Sequence, residues 1–188
     1  MASFGHIAVG MAAGRAFTAG APHTGREGRL ASAMVLFSIL SVWPDVDVVG
    51  FHFGIAYGDP LGHRGATHSI TAAVLVGITS TLLAAWTLLP AVKTALYVTL
   101  VALSHGLLDT CTFGGGRGVE LLWPFSYDRF WSPLRFIPVA PIGLGMLSLT
   151  GLLVVGSEVV IFAPLWLYAI WPRRVRRTQT APTENPPP

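Results

Sequence analysis

The sequence predicts an all-α fold, an integral membrane bundle of about four to six helices, and three observations predict it. Hydrophobic residues make up 52% of the 188-residue chain and charged residues only 11%, with a mean hydropathy of +0.60; ordinary soluble domains carry roughly 25% charged residues. Uncharged apolar runs of helical length recur, and one of them, Ser69 to Val92, extends over 24 residues, where about 20 suffice to cross a bilayer. Between the runs lie clusters of Gly, Pro and charge, which is loop chemistry. At this length one domain is expected, residues 1–172, followed by a basic, proline-rich tail at 173–188 with nothing to bury and therefore disordered. The single cysteine, Cys111, excludes an intrachain disulfide and a cysteine metal cluster. It reads as a packing residue.

Taken in order, Phe4 to Ala19 is an Ala/Gly/Met-rich helix whose Gly10 and Gly14 permit close approach of a neighbour. His6 and Arg15 interrupt its apolar stretch and no basic region precedes it, so a cleavable signal peptide is not expected. Residues 20–28 form a loop, and Leu30 to Trp43 a second helix that Pro44 stops near Trp43. A glycine-rich loop at 48–67 leads to the long run from Ser69, for which Thr67 is the expected N-cap. Pro90 and Lys93 mark a reversal into a helix from Thr94 to Asp109. Residues 110–135 form a long loop rich in aromatics, an interfacial belt or a wall of a substrate pocket. Phe136 to Pro172 is apolar apart from Glu158, to which the sequence assigns no role, and gives either one kinked span or two short helices around Pro164. The uncharged runs of the first, second and fourth helices are shorter than a full span.

If neighbouring helices run antiparallel, His6, Asp45, Asp47, His63, His68, His105 and Asp109 all fall at one end of the bundle. Arg15, Arg26, Arg29, Lys93 and the arginines at 173, 174, 176 and 177 fall at the other. Ionisable groups near membrane depth are costly and usually functional, so the convergence, rather than any single histidine, predicts a metal site. His105 and Asp109 are four apart and share a helical face. His63 is placed on the loop and His68 in a first helical turn, where the helix dipole keeps the imidazole neutral and able to coordinate. Asp45 and Asp47, two apart in an extended segment, would reach different ions. Mixed nitrogen and oxygen ligands suit a divalent metal such as zinc or manganese, and seven candidates allow one or two ions. Arg64 is either a clamp on an anionic substrate or a partner of Asp45 or Asp47. Asp47 is the expected proton acceptor. His23 and His52 lie in loops and are expected to be solvated. The net charge of +3 resides largely in the membrane-flanking arginines and predicts contact with lipid headgroups rather than nucleic acid.

The segments Gly5-His6, Pro44-Asp45-Val46-Asp47, His63-Arg64-Gly65-Ala66-Thr67-His68-Ser69, Ser104-His105-Gly106-Leu107-Leu108-Asp109 and Leu121-Leu122-Trp123-Pro124-Phe125 resemble, in order, the YdjM-like family of bacterial inner-membrane proteins. The resemblance implies a multi-pass inner-membrane location and metal-dependent hydrolysis, without a substrate. Val48 departs from it, since many members carry a histidine there. More distantly, His105-x-x-x-Asp109 and the spread of His and Asp look like the zinc-dependent phospholipase C and nuclease group. The expected activity is hydrolysis of an ester or phosphoester, lipid phosphoesters included, and the alternative is a non-enzymatic membrane protein that binds or transports metal. Four arginines at the site end (64, 117, 129, 135) against eight basic residues at the other place the site outside the cytoplasm by the positive-inside rule.

Overall fold

The computed structural model describes residues 3–19, 26–86 and 89–172; the expected tail at 173–188 and His23 lie outside the described residues. Among the described residues there are six α-helices: α1 (Ser3–Phe17), α2 (Arg26–Val42), α3 (Ile70–Ala84), α4 (Ala91–Thr110), α5 (Leu149–Ile161) and α6 (Ala163–Ile170). The only β-structure described is minor: β1 (Thr112–Phe113) pairs in parallel with β2 (Ile137–Pro138), and Val119 bridges Phe130. The loop at 110–135 is therefore stitched to itself and to the start of the last apolar segment.

Helix α1 is the centre of the bundle, packed against α2, α4, α5 and α6, while α3 packs on α4. Gly10 and Gly14 make the α1–α2 contact possible. A Cβ on Gly10 would lie 2.5 Å from Phe37 O, and one on Gly14 2.6 Å from Ala33 O, so backbone meets backbone. Gly10→Val is accordingly expected to force the two helices apart and to cost about 1–3 kcal/mol of stability. A melting temperature unchanged in detergent would contradict this contact.

The chain leaves α2 at Val42, two residues before Pro44, as expected from the exclusion of the pre-proline residue from helical geometry. It does not then become a loop. Trp43–Phe53 continues as a 3₁₀ helix closed by Gly54 in the left-handed region, φ +78°. With this extension Glu27–Phe53 is long and apolar enough to cross a membrane, as is α4. Two of the three runs whose uncharged stretches fall short of a span in sequence, those of α2 and α4, thus supply the full spans. Conversely, the run from Ser69 yields only α3, 15 residues or about 22 Å at 1.5 Å per residue, because the chain closes at Ala85 and Trp86 onto Thr81 O and Leu83 O. Its N-cap is Ser69, whose Oγ accepts from Ala72 N at 3.0 Å, and not Thr67. The last apolar segment forms two helices, with Phe162 at the break, Pro164 in the first turn of α6 and an angle of 65° between them.

Two apolar clusters flank the bundle. Phe37, Val98 and Val101 with Phe17 and Tyr97 fill the half near Lys93; Ala8, Ile137 and Phe162 with Leu108 and Cys111 fill the other. Cys111 packs there with its thiol directed to Leu107 O. At the basic end, Lys93 Nζ donates to Phe17 O and Arg15 donates to Ala169 O, so each cation caps the carbonyl end of a helix.

Candidate metal centre

Four segments deliver the polar residues to one place. Helix α1 carries His6 in its first turn, and the 3₁₀ extension of α2 carries Asp45 and Asp47. The turn before α3 carries His63, Arg64 and His68, and α4 ends on His105 and Asp109. All seven predicted His and Asp residues meet. Asp45, His68, His105 and Asp109 each offer an atom within 4.8 Å of the others, and Asp47, His63 and His68 form a second such group. His105 Nε2 lies 3.1 Å from His68 Nε2 and 3.3 Å from Asp45 Oδ1; His68 Nε2 lies 3.5 Å from Asp45 Oδ1 and 3.6 Å from Asp109 Oδ2. His6 stacks on His105 with ring centroids 3.6 Å apart, its Nε2 3.6 Å from Asp109 Oδ1. Neither ring nitrogen of this buried His6 has a hydrogen-bond partner among the described residues. A buried imidazole with neither nitrogen hydrogen-bonded is costly, and an ion held between it and the neighbouring carboxylates would take up its lone pair. The donor set fits a divalent metal on that ground.

A second layer fixes the donors. His105 Nδ1 donates to Ser41 O at 2.7 Å, which sets the tautomer and leaves the Nε2 lone pair directed into the cluster. Asp47 stands behind the histidines: Oδ1 is 2.8 Å from His63 Nδ1, and Oδ2 accepts from Thr67 Oγ1 at 2.8 Å and lies 3.2 Å from His68 Nδ1. Thr67 thus serves Asp47 rather than a helix N-terminus. Asp45 and Asp47 do face different groups, which share His68.

Arg64 requires a correction. Its guanidinium pairs with neither Asp45 nor Asp47 but with Asp109, Nε to Oδ2 at 3.1 Å, and donates through Nη1 to Thr112 Oγ1 and Arg117 O. Only its backbone N–H reaches Asp47, at 3.2 Å. The residue is fully buried at φ +65°, a conformation unusual for any side chain other than glycine. Such strain persists where surrounding contacts over-determine it, and here the Asp47, Asp109 and Thr112 contacts do so.

His68 also differs from expectation. Burial pulls its imidazole down, but hydrogen bonding to Asp45 and Asp47 with the charge of Asp109 more than reverses this and holds it at about 9. Carboxylates, not a helix dipole, set its charge. A metal that binds through His68 must displace that proton.

Other positioning residues were invisible as function in the sequence. Glu158, fully buried on α5, accepts from Gly5 N at 2.9 Å and so anchors the residue beside His6. Gly106 lets α4 touch the backbone of His68: a Cβ there would lie 2.2 Å from His68 O. Ser41 contributes through a carbonyl, which any residue type has. His52 is exposed on the 3₁₀ helix and takes no part, as expected, although it is not in a loop. Val48 is half-buried and supplies no ligand.

Spans of membrane length enclosing a buried His/Asp cluster define an integral membrane protein with groups able to hold a metal ion. A model of the YdjM inner membrane protein family matches residues 1–178, and the chain belongs to that family. It is 39% identical over 131 residues to the inner membrane protein YbcI of Escherichia coli (strain K12), an alignment covering 69% of this chain and 73% of that one. No solved structure matches. The chain is therefore an inner-membrane protein.

Proposed function

We propose that the chain is a membrane-bound, metal-dependent hydrolase of an ester or phosphoester. The observation that carries this reading is the convergence of Asp45, His68, His105 and Asp109 with His6 beside them, in a pocket where the His105 tautomer is already set for coordination. In this reading those residues hold one zinc or manganese ion. A second ion at Asp47, His63 and His68 would require both nitrogens of His68, so one ion is favoured. When bound, the ion supplies Lewis acidity and makes water a nucleophile near neutral pH.

The protein's own residues do the rest. Asp47 and His63 form a carboxylate–imidazole pair that accepts a proton, with Asp47 orienting the ring and stabilising its charged form. Arg64 holds Asp109 in place and sets a fixed positive charge beside the position where negative charge develops. Burial of the cluster keeps bulk water out and strengthens these interactions. Glu158, the carboxylate a transport path would need, is engaged by Gly5 N, which favours a closed site over a conduit.

Elemental analysis of protein purified in detergent, followed by a panel of soluble phosphomonoesters, phosphodiesters and carboxylic esters, tests the reading. The expected result is about one zinc or manganese per chain, lost with activity in His68→Ala. Absence of stoichiometric metal, or full activity in that variant, would refute it. Because His68 carries a proton below about 9, metal affinity should rise with pH up to that value, by up to about tenfold per unit while this proton alone is displaced. A pH-independent affinity between 6 and 8, measured by competition with a chelator of known titration, would remove His68 from the ligand set.

A further inference from the structure

Depth decides where a substrate comes from. Along α4, Lys93 to His105 is about 18 Å and Lys93 to Asp109 about 24 Å at 1.5 Å per residue. Along α2, Arg29 to Asp45 is about 26 Å with its 3₁₀ part at about 2 Å per residue. The hydrocarbon core of a bilayer is about 30 Å thick, and tilt shortens the depth a helix covers. With Arg29 and Lys93 at one interface, the cluster lies at or below the level of the other.

The surface around it agrees. Beyond the cluster, Phe53 (80% exposed) at the end of the 3₁₀ helix, and Leu61, Phe125 (89%) and Leu134 (73%) in the loops, are large apolar side chains left open on the segments around the site. Two arginines accompany them: Arg117 is exposed, and Arg135 lies over one face of Trp131 with Arg64 against the same ring, centroid distances 5.7 and 5.6 Å. The nearby carboxylates are turned to their own loops, Asp59 accepting from Ala56 N and Asp128 from Ser126 Oγ. Aromatic and apolar side chains mixed with cations are the composition of a headgroup interface. Of the clustered carboxylates, Asp45 alone has appreciable side-chain exposure, 25%, and the next residue, Val46, is exposed. The most open carboxylate of the cluster is thus followed by an exposed apolar side chain.

We propose that the substrate is a membrane-resident anionic amphiphile, a phosphoester whose hydrocarbon tail stays in the bilayer while its headgroup enters beside Asp45. This rests on the hydrolase reading above. Water oxygen bonds to phosphorus, the bond from phosphorus to the leaving alcohol oxygen breaks, and a proton from water ends on that alcohol.

Two measurements on the reconstituted full chain test it. The zinc- or manganese-loaded protein, in vesicles of phosphatidylcholine doped with phosphatidic acid or phosphatidylglycerol, should cleave the anionic lipid at least about tenfold faster than p-nitrophenyl phosphate or its bis ester. Phe125→Ser with Leu134→Ser, neither touching the cluster, should lower only the lipid rate, by at least about tenfold. Separately, a fluorophore on Phe53→Cys or Leu134→Cys in a Cys111→Ser background should be quenched by spin-labelled lipid. Water-like emission from both labels, or soluble esters cleaved as well as lipid, overturns the amphiphile and leaves the hydrolase standing. Cleavage of neither class by metal-loaded protein removes the hydrolase reading, and the amphiphile with it.

Discussion

Asp109→Ala is expected to abolish metal binding and to lower stability by about 3–5 kcal/mol, the penalty for breaking a buried ion pair by removing one partner. Two effects combine at this residue. Asp109 Oδ1 and Oδ2 face His6 and His68, so the variant loses a carboxylate from the donor set. Its Oδ2 also faces Arg64 Nε at 3.1 Å, and both side chains are almost fully buried, so the variant strands a guanidinium. Asp109→Asn separates them in part, since it keeps the volume but not the charge. Removing both charges, Arg64→Met with Asp109→Asn, should recover much of the stability and none of the metal, because the stranded charge is gone while the ligand remains absent. Elemental analysis and thermal melts of the three variants give the answer. Wild-type metal content in Asp109→Asn would sink the assignment of Asp109 to the centre, and a double variant no more stable than Asp109→Ala would sink the role of Arg64 as its counter-charge.

The convergence of the seven residues was legible because it needs only helix polarity. Apolar runs separated by short loops must alternate in direction, and His6, Asp45, His68 and His105 each sit near a run's end. What happens at that end was not legible, because it depends on backbone paths that propensity does not encode. The segment after Pro44 reads as extended or loop, and its 3₁₀ geometry follows from packing against α4 and the turn before α3. That geometry places Asp47 behind His63 and His68 and gives Asp45 the more exposed position. The exchange of Thr67 and Ser69 has the same origin. Both are good caps by residue type, and a 3₁₀ turn over Ala66–His68 decides which one meets α3.

Arg64 shows the limit most plainly. Its sequence neighbours, His63 and Gly65, invite a left-handed bend at the glycine, whereas the bend falls on Arg64 itself. Gly65 is needed for closeness instead, since a Cβ there would lie 2.2 Å from Pro60 O. Glu158 carried no readable role because its partner is a backbone amide 153 residues away. The apolar run from Phe136 to Pro172 predicts helix but leaves one kinked span or two helices open, and nothing local specifies that Glu158 folds onto the N-terminus of α1.

Gly106→Ala is the sharpest test of how the centre is assembled, because it replaces no ligand and meets only the backbone of one. The added methyl would meet His68 O at 2.2 Å and His68 C at 3.2 Å, and neither is the movable tip of a side chain. Either α4 or the turn carrying His68 must shift. His68 Nε2 and His105 Nε2 stand 3.1 Å apart across this contact, and a metal pocket tolerates ligand displacements of only a few tenths of an ångström. The expected outcome is a fall in metal affinity of at least about 100-fold with a loss of about 1–3 kcal/mol in stability. Gly156→Ala is the matching control: it lies within α5, and a Cβ there meets nothing within 4 Å. Replacing that glycine should leave metal binding intact and raise stability by up to about 1 kcal/mol through helix propensity. If Gly106→Ala bound metal as tightly as Gly156→Ala, the α4–His68 backbone contact would not be what sets the ligand spacing, and the centre would have to be flexible enough to rebuild itself around the ion.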